Sequence, residues 1–215
     1  MEQLSNKERN EIAKEAGLQL IPAVGGALAT LYYGRKQEIR LKRLEQFYSQ
    51  ISDELRKIQD KFPPIERHDE ESLLSILERL NDRIEKESIN EKVSCLKAYL
   101  RNTLLQPVTK ENLDSRITFL NIISELTVFE CNILCRINMV KADQSMSARC
   151  ISREMKCDEY AAAGAITKLR SFGFLRKEND YIVVNSDNVL SDTFTVSDFG
   201  KEFIRFCIQQ DGEHN

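Results

Sequence analysis

The stretch that decides the fold, "LKRLEQFYSQISDELRKIQDKF" (Leu41–Phe62), places an apolar residue at alternating spacings of three and four. The apolar positions are Leu41, Leu44, Tyr48, Ile51, Leu55, Ile58 and Phe62. Two apolar positions in seven are typical of a coiled coil, whereas a globular surface helix usually has a wider apolar face. The pattern therefore predicts one long helix with a narrow heptad seam. Either a second copy of the chain or another helix of the same chain could pack against this seam.

A small-residue apolar segment, "LQLIPAVGGALATLYYG" (Leu18–Gly34), leads into that helix. Gly26, Thr30 and Gly34 recur every four residues, so they share one helical face and would extend the seam by allowing close approach of another helix. We predict an oligomer seam made of Gly26, Thr30, Gly34, Leu41, Leu44, Tyr48, Ile51, Leu55 and Ile58.

Two interpretations of the apolar segment stay open. A membrane span needs about 20 apolar residues, and residues 16–33 contain Gln19, Pro22 and three glycines. The segment could therefore insert conditionally or lie in the membrane interface, or it could form a soluble hairpin that turns at Pro22 and the Gly25-Gly26 pair. The residues predicted to contact a membrane are Leu18, Leu20, Ile21, Val24, Leu28, Leu31, Tyr32 and Tyr33.

A cluster of basic residues, here called the basic collar, follows the apolar segment on its C-terminal side only. It consists of Arg35, Lys36, Arg40, Lys42 and Arg43, opposed by the single acid Glu38. Basic residues next to an apolar segment mark the cytoplasmic flank and attract anionic lipid headgroups. The collar favours the membrane interpretation and predicts an anionic membrane as a partner.

Composition limits the classes of protein that remain. The chain has 215 residues, 41% of them hydrophobic, and a formal net charge of −3. It is therefore expected to fold, and its overall charge would not gather nucleic acid. Only four prolines and eight glycines occur, which favours a mainly helical protein. The six cysteines have no disulfide spacing and the acidic start is unlike a signal peptide, so we expect a cytoplasmic protein, peripheral or conditional at the inner membrane.

The middle of the chain predicts a helical bundle at residues 65–124, after a first region at residues 1–64 that contains the apolar segment and the heptad helix. Pro63-Pro64 is expected to stop the heptad helix. Asp69, a capping box of Ser88 and Glu91, and Thr109 are expected to open the three helices that follow. Short connections favour antiparallel neighbours.

From Thr127 onward the pattern changes to short helices followed by strands. Thr127 and Glu130 form a capping box, and Asp158 caps "DEYAAAGAITKLRSFGFL" with Gly173 placed to close that helix. The strands "YIVV" (181–184) and "TFTV" (193–196) then precede a last helix from Ser197. Three helices, a two-stranded wing and a closing helix are the order of a winged helix.

The runs "ITKLRSFGFLRKENDYIVV" and "TVSDFGKEFIRFC" resemble the recognition helix, wing and closing helix of bacterial winged-helix domains. The resemblance rests on Leu169 with Gly173 and on Ser197, Gly200 and Phe203, and it covers about residues 125–210 of a domain placed at 125–215. It implies a winged-helix fold. A winged helix behind a helical region also resembles small bacterial abortive-infection or prophage-exclusion proteins.

Residues suited to DNA are few in the predicted recognition helix. The candidates are Lys168, Arg170, Arg176 and Lys177, while the first turns offer the run Ala161–Ala165, with glycine at 164. Between Val140 and Cys207 ten bases balance ten acids, so the phosphate term that carries non-specific DNA affinity is weak. We therefore expect a protein partner to contact this helix, through a face of small residues that lets another helix approach, and keep DNA as the alternative.

Catalytic and metal-binding interpretations find no support in the pattern. His68 in a predicted loop and His214 near the C-terminus have no partner at nucleophile or metal spacing, and both are expected to be solvated. Cys131 and Cys135 share a helix face but are interpreted as small core residues. We predict no enzyme activity, no cofactor and no metal.

Two functional hypotheses follow. The first is a membrane-directed oligomeric helical effector with a winged-helix module that senses a partner protein, in phage defence by abortive infection, where aligned copies would form a pore. The second is a soluble winged-helix transcriptional regulator that binds DNA and is dimerised by its N-terminal helices.

Overall fold

A computed structural model describes residues 38–140, 145–178 and 190–209. These residues are mainly helical, as predicted, and contain eight α-helices and one three-stranded antiparallel sheet. The chain divides into two compact units, unit 1 up to Ser124 and unit 2 from Glu125 onward. The boundary expected near residue 64 falls inside unit 1, where the first helix packs on the two that follow.

Unit 1 contains four α-helices in its described residues. They are α1 (Glu38–Lys57), α2 (Glu70–Lys86), α3 (Asn90–Leu105) and α4 (Leu113–Glu125), the last of which ends one residue into unit 2. Two short 3-10 turns, Gln59–Lys61 and Ile65–Arg67, lie between α1 and α2. The core is formed by aliphatic and aromatic side chains from all four helices, among them the fully buried Tyr48, Tyr99 and Phe119.

Helix α1 ends earlier than predicted. The prediction extended it to Phe62, but the helix stops at Lys57 and a 3-10 turn follows. Phe62 itself is extended, with ψ 133°, as expected for a residue that precedes a proline. The prolines therefore fix the chain direction after the helix has already ended.

The three helix starts predicted in unit 1 have different outcomes. The start predicted at Thr109 is wrong, because α4 begins at Leu113 after a turn at residues 110–112. Asp69 caps α2 as predicted, because its Oδ1 accepts the backbone N–H of Ser72 at 3.0 Å. The predicted capping box at Ser88 is wrong. Helix α3 begins at Asn90 with Ile89 as its N-cap, which makes no side-chain capping bond. The Glu87 carboxylate accepts the N–H groups of Ser88 and Ile89, both at 2.9 Å, and these two residues precede the helix.

Unit 2 alternates short helices with short strands in its described residues. The order is α5 (Val128–Met139), β1 (Met146–Ser147), α6 (Ala148–Met155), α7 (Glu159–Ser171), β2 (Leu175–Lys177), β3 (Thr193–Val196) and α8 (Asp198–Phe203), which continues as a π-helix (Ile204–Ile208). The predicted capping box of Thr127 and Glu130 is confirmed at the start of α5.

The sheet has the order β1-β3-β2, and both pairs are antiparallel. The strand predicted at residues 193–196 is β3. Its register places Phe194 opposite Met146 on one side and opposite Lys177 on the other. Strands β1 and β2 were not predicted, because two or three residues are too few for an alternating pattern. The strand predicted at 181–184 lies outside the described residues.

The two motifs that carried the winged-helix resemblance lie against each other. Ser197 Oγ donates to the Gly173 carbonyl at 2.6 Å and accepts the Gly200 N–H at 3.0 Å. Gly173 has φ 78°, the left-handed conformation that suits glycine. A Cβ built on Gly200 would lie 2.6 Å from the Phe174 carbonyl oxygen. Phe203 stacks on Phe174 with ring centroids 4.6 Å apart, so these motif residues join the end of α7 to the start of α8.

Candidate functional site

Helix α7 has one buried face and one exposed face. Asp158 caps it by accepting the N–H groups of Tyr160 and Ala161, both at 2.9 Å. The buried side carries Ala162, Ala163, Ala165, Ile166 and Leu169. Three of the four alanines in the predicted small-residue surface therefore pack into the core of unit 2, and only part of that surface faces outward.

Most exposed side chains of α7 are uncharged, and the exception is the exposed Arg170 near the C-terminal end of the helix. We call the uncharged group the α7 face, and it consists of Tyr160, Ala161, Gly164, Thr167 and Ser171, all exposed. Tyr160 is 74% exposed. A Cβ built on Gly164 would meet no atom within 4 Å. Thr167 Oγ1 bonds back to the Ala163 carbonyl at 2.9 Å. The α7 face therefore offers a shallow surface with one large aromatic side chain at its N-terminal end.

All four bases predicted for DNA contact a group in their own unit. Lys168 Nζ lies 2.9 Å from Glu130 Oε2 and donates to the Glu125 carbonyl at 2.8 Å. The Arg170 guanidinium lies 5.3 Å from the centroid of the Phe194 ring. The remaining pairs are Arg176 with Asp198 at 3.0 Å and Lys177 with Asp192 at 2.8 Å.

Lys168 has a structural role that the sequence did not indicate. Glu130 Oε2, which contacts Lys168, also accepts the Thr127 N–H at 2.7 Å as part of the capping box. Lys168 therefore connects α7 to the beginning of α5. Its substitution would disturb the packing of unit 2 as well as any phosphate contact, so it is an ambiguous probe of DNA binding.

Sequence reasoning missed three exposed bases next to α7. Arg149 and Arg153 lie one turn apart on α6, and Lys156 follows at its C-cap with φ 51°. Arg149 lies 3.7 Å from Glu159 in the first turn of α7. Their spacing of four and three residues is the signal in the sequence that could have indicated that these bases share one side of a helix.

The heptad seam is packed inside unit 1. Leu44, Tyr48, Ile51 and Leu55 are each 0% exposed, and α1 packs mainly on α2. Tyr48 donates its hydroxyl to Asn81 Oδ1 on α2 at 2.6 Å. Of the two partners that the pattern allowed, these four residues have a helix of the same chain.

The rest of the predicted oligomer seam is only partly described. Leu41 and Ile58, at its two ends, are half-buried. Gly26, Thr30 and Gly34 lie outside the described residues, as do all the residues predicted to contact a membrane (18–33).

The basic collar is partly engaged within unit 1. Arg43 Nη1 donates to the Glu85 carbonyl at 2.8 Å, and Arg40 Nη1 lies 3.8 Å from the Glu85 carboxylate. Lys42 is exposed, whereas Arg35 and Lys36 lie outside the described residues. One of the five collar charges therefore lies near a carboxylate and a second bonds to a backbone carbonyl of the same chain, which lowers the attraction that the collar can offer a membrane.

The prediction that His68 is solvated is wrong. Its side chain is buried, and Nδ1 accepts the Val108 N–H at 3.2 Å. Burial, and then the positive charge of Arg116, lower the pKa of His68. The tertiary fold brings residue 108 beside residue 68, which no local pattern could have indicated.

The described residues were also compared with the requirements of a metal site and of a membrane-spanning helix. Among the described residues no group of three or more His, Cys, Asp or Glu side chains could hold a metal ion. Cys131 and Cys135 are half-buried, and burial raises the pKa of Cys135. No single described helix has the length and hydropathy to cross a membrane, although α4 and α5 together would pass as a bent pair.

Comparison of the chain with protein-family models, with curated proteins and with solved structures finds no match. The functional conclusion therefore rests on the residues described above.

Proposed function

We propose that this chain is a non-catalytic interaction protein in which unit 2 is a winged-helix module that binds a protein partner through the α7 face. The observation that carries the proposal is the charge distribution around α7. The face itself has no charged side chain, and each base that could have reached DNA from α7 or β2 already contacts an acid or a ring of unit 2.

The order of elements supports the winged-helix part of the proposal. Helix, strand, helix, helix, strand, strand and helix follow one another in unit 2, and the third of these helices corresponds to a recognition helix. A helix that reads bases normally presents Arg, Lys, Asn or Gln to the groove. The α7 face presents a tyrosine, an alanine, a glycine and two hydroxyl residues instead, which suits the close approach of a protein helix.

A photo-crosslinking amino acid at Thr167 would test the α7 face in the full-length chain in its host cell. The matched control places the same group at Glu202, an exposed residue of α8. We expect a discrete crosslinked protein from position 167 only, and its loss when Gly164→Arg is added, because an arginine there fills open space without contacting the core. Equal crosslinking from both positions would contradict a specific face.

For the N-terminal part we propose association with anionic membranes, in copies brought together by residues 16–34, where the chain acts as an effector in phage defence. The support is the sequence: the apolar segment, its small residues at every fourth position and the basic collar. The effector setting rests on the resemblance to abortive-infection proteins. The four seam residues that are buried within unit 1 are not available to a second copy of the chain. Oligomerisation is therefore assigned to the other residues of the predicted seam.

Flotation of the full-length chain with vesicles that contain or lack anionic lipid tests this part. The cleanest charge reversal is Arg35, Lys36 and Lys42 to Glu, because Arg40 and Arg43 also contact Glu85 and their reversal would disturb unit 1. We expect flotation with anionic vesicles only, reduced by the triple reversal and with assembly impaired by Gly26→Leu. A chain that neither floats with nor permeabilises anionic vesicles would refute membrane association and leave the α7 proposal intact.

A DNA-binding regulator is the second candidate, and one specific observation favours it. Arg149, Arg153 and Lys156 form an exposed basic side on the helix that precedes α7. The test is duplex binding by the full-length chain at low and high salt, with Arg153→Glu as the probe, since Arg153 is exposed and on the surface of α6. Tight binding that weakens steeply with salt and is lost in Arg153→Glu would favour the regulator over the protein-binding module.

A further inference from the structure

Two hydrogen bonds join the two long connections of unit 1. One links two backbone groups, and the other links a backbone N–H group to the side chain of His68. The connection from α1 to α2 ends at His68 and Asp69, and the connection from α3 to α4 contains Val108. The Val108 N–H donates to His68 Nδ1 at 3.2 Å, while the Asp69 N–H donates to the Val108 carbonyl at 2.8 Å. Val108 is 0% exposed and His68 is 8% exposed, so water is a poor substitute partner for either group.

The protonation state of His68 follows from this geometry. A backbone N–H can only donate, so Nδ1 must carry a lone pair and the neutral ring holds its proton on Nε2. Protonation would place a second N–H on Nδ1, facing the Val108 N–H, and the hydrogen bond would become a repulsive contact between two donors. The bond therefore exists only in the neutral ring.

The charged groups around His68 also disfavour its protonation. Burial is the larger cause and the positive charge of Arg116 on α4 adds to it, so the pKa of His68 lies below its ordinary value. Asp69 is the acid next in the chain, but its carboxylate bonds to Ser72 at the start of α2. The other charged side chains within three residues of His68 or Val108 are Glu66, Arg67, Glu70, Glu71, Lys110 and Glu111, all exposed.

We propose that His68 is a pH-sensitive latch that holds the α1–α2 connection to the α3–α4 connection when neutral and releases it when protonated. The α1–α2 connection begins where α1 ends, so release would loosen the C-terminal end of α1, which is opposite the end that carries the basic collar. The folded state binds the proton less readily than the unfolded chain, whose histidine pKa is about 6.5. The contribution of the latch to stability is thus fully present above about pH 6.5 and is lost as the pH falls below that value toward the lower pKa of the folded state.

The experiment measures amide exchange by NMR in the full-length chain, as protection factors at pH 7.5 and pH 5.5. We expect the Val108 amide to lose about tenfold in protection at the lower pH, the factor that corresponds to one ordinary hydrogen bond. The Leu120 amide in the core of unit 1 should keep its protection. An equal loss at Leu120 would show global acid unfolding and would overturn the latch.

His68→Asn is the matched variant, because its side-chain oxygen can accept near the position of Nδ1 but does not titrate. We expect Val108 protection in this variant to be independent of pH, and His214→Asn, which removes the other histidine, to behave as the wild type. Should His68→Asn fail to fold, the ¹⁵N shifts of the His68 ring in the His214→Asn chain decide the matter. A proton on Nδ1 at pH 7.5, or a ring pKa at or above 6.5, would contradict the proposal.

Discussion

Helices α1 and α7 both carry a face that the sequence nominated for contact with another molecule, and the fold treats the two differently. On α1 the nominated residues are the large aliphatic and aromatic ones, and four of them are completely buried against the same chain. On α7 the large aliphatic residues also turn inward, but the α7 face and the neighbouring Arg170 remain exposed.

The difference shows that an apolar stripe alone does not identify the partner that covers it. A strict heptad seam indicates that another element covers it, since burial of each aliphatic side chain stabilises the fold by about 1.5–3 kcal/mol. It does not state whether the cover comes from the same chain. An exposed face of small side chains gains little by burial within the unit, and its role is decided by what approaches from outside.

The largest effect on stability is expected from substitutions in the heptad seam of α1. Ile51→Ala should lower the free energy of unfolding of unit 1 by about 2–5 kcal/mol, because it leaves a cavity at a fully buried site. Ile51→Asp should prevent unit 1 from folding, since an uncompensated charge would be buried. Urea denaturation followed by circular dichroism measures both. Glu54→Ala, on the exposed side of α1, is the control and should change stability by no more than about 0.5 kcal/mol.

The next effect concerns the junction behind the α7 face. Gly200→Ala should destabilise unit 2 by about 1–3 kcal/mol, because the added Cβ would lie 2.6 Å from the Phe174 carbonyl oxygen and 2.8 Å from a methyl group of Val196. The measurement is the urea midpoint of the full-length chain, followed through Tyr fluorescence and circular dichroism. An unchanged midpoint would mean that the close approach of α8 to the end of α7 is not maintained in solution.

A smaller effect on stability is expected from two residues that were both predicted to cap a helix, Thr127 in unit 2 and Ser88 in unit 1. Thr127→Ala removes a confirmed capping box and should cost about 1 kcal/mol. Ser88→Ala should cost close to nothing, because the Glu87 carboxylate, not Ser88, accepts the N–H groups that precede α3. Thermal denaturation of the two single variants in parallel would measure the contrast. A loss of stability in Ser88→Ala as large as that in Thr127→Ala would show that the serine does cap the helix.

The smallest expected effect has the opposite sign. Gly164→Ala should stabilise unit 2 by up to about 1 kcal/mol, because glycine inside a helix is costly and the added methyl group meets no atom within 4 Å. Comparison with Gly200→Ala makes the point directly, since the same chemical change is expected to raise the melting temperature at one glycine and lower it at the other. Loss of stability in Gly164→Ala would mean that the α7 face is covered within the chain.

Local features of the chain could be predicted well from the sequence. The caps at Asp69, Thr127 and Asp158 are confirmed because a capping side chain bonds to an N–H group only two or three residues away. The strand at residues 193–196 is confirmed for a similar reason, as its alternation is contained in four residues. The mainly helical class followed from the scarcity of proline and glycine.

Features that depend on residues distant in sequence could not be predicted. His68 was expected to be solvated because its acceptor role depends on Val108, 40 residues away. Lys168 was assigned to DNA because nothing local indicates that Glu130 lies 2.9 Å from its amine.

The sequence by itself determined which residues of α1 and α7 would be apolar, where α2, α5, α7 and α8 begin, and that the heptad seam requires a partner. Only the tertiary structure decided that α2 is that partner for its central four residues, that the bases of α7 and β2 contact acids or a ring of unit 2, and that the α7 face is exposed. The physical reason is that spacing along the chain fixes which side chains share a face, whereas the burial of that face depends on which other element the folded chain places against it.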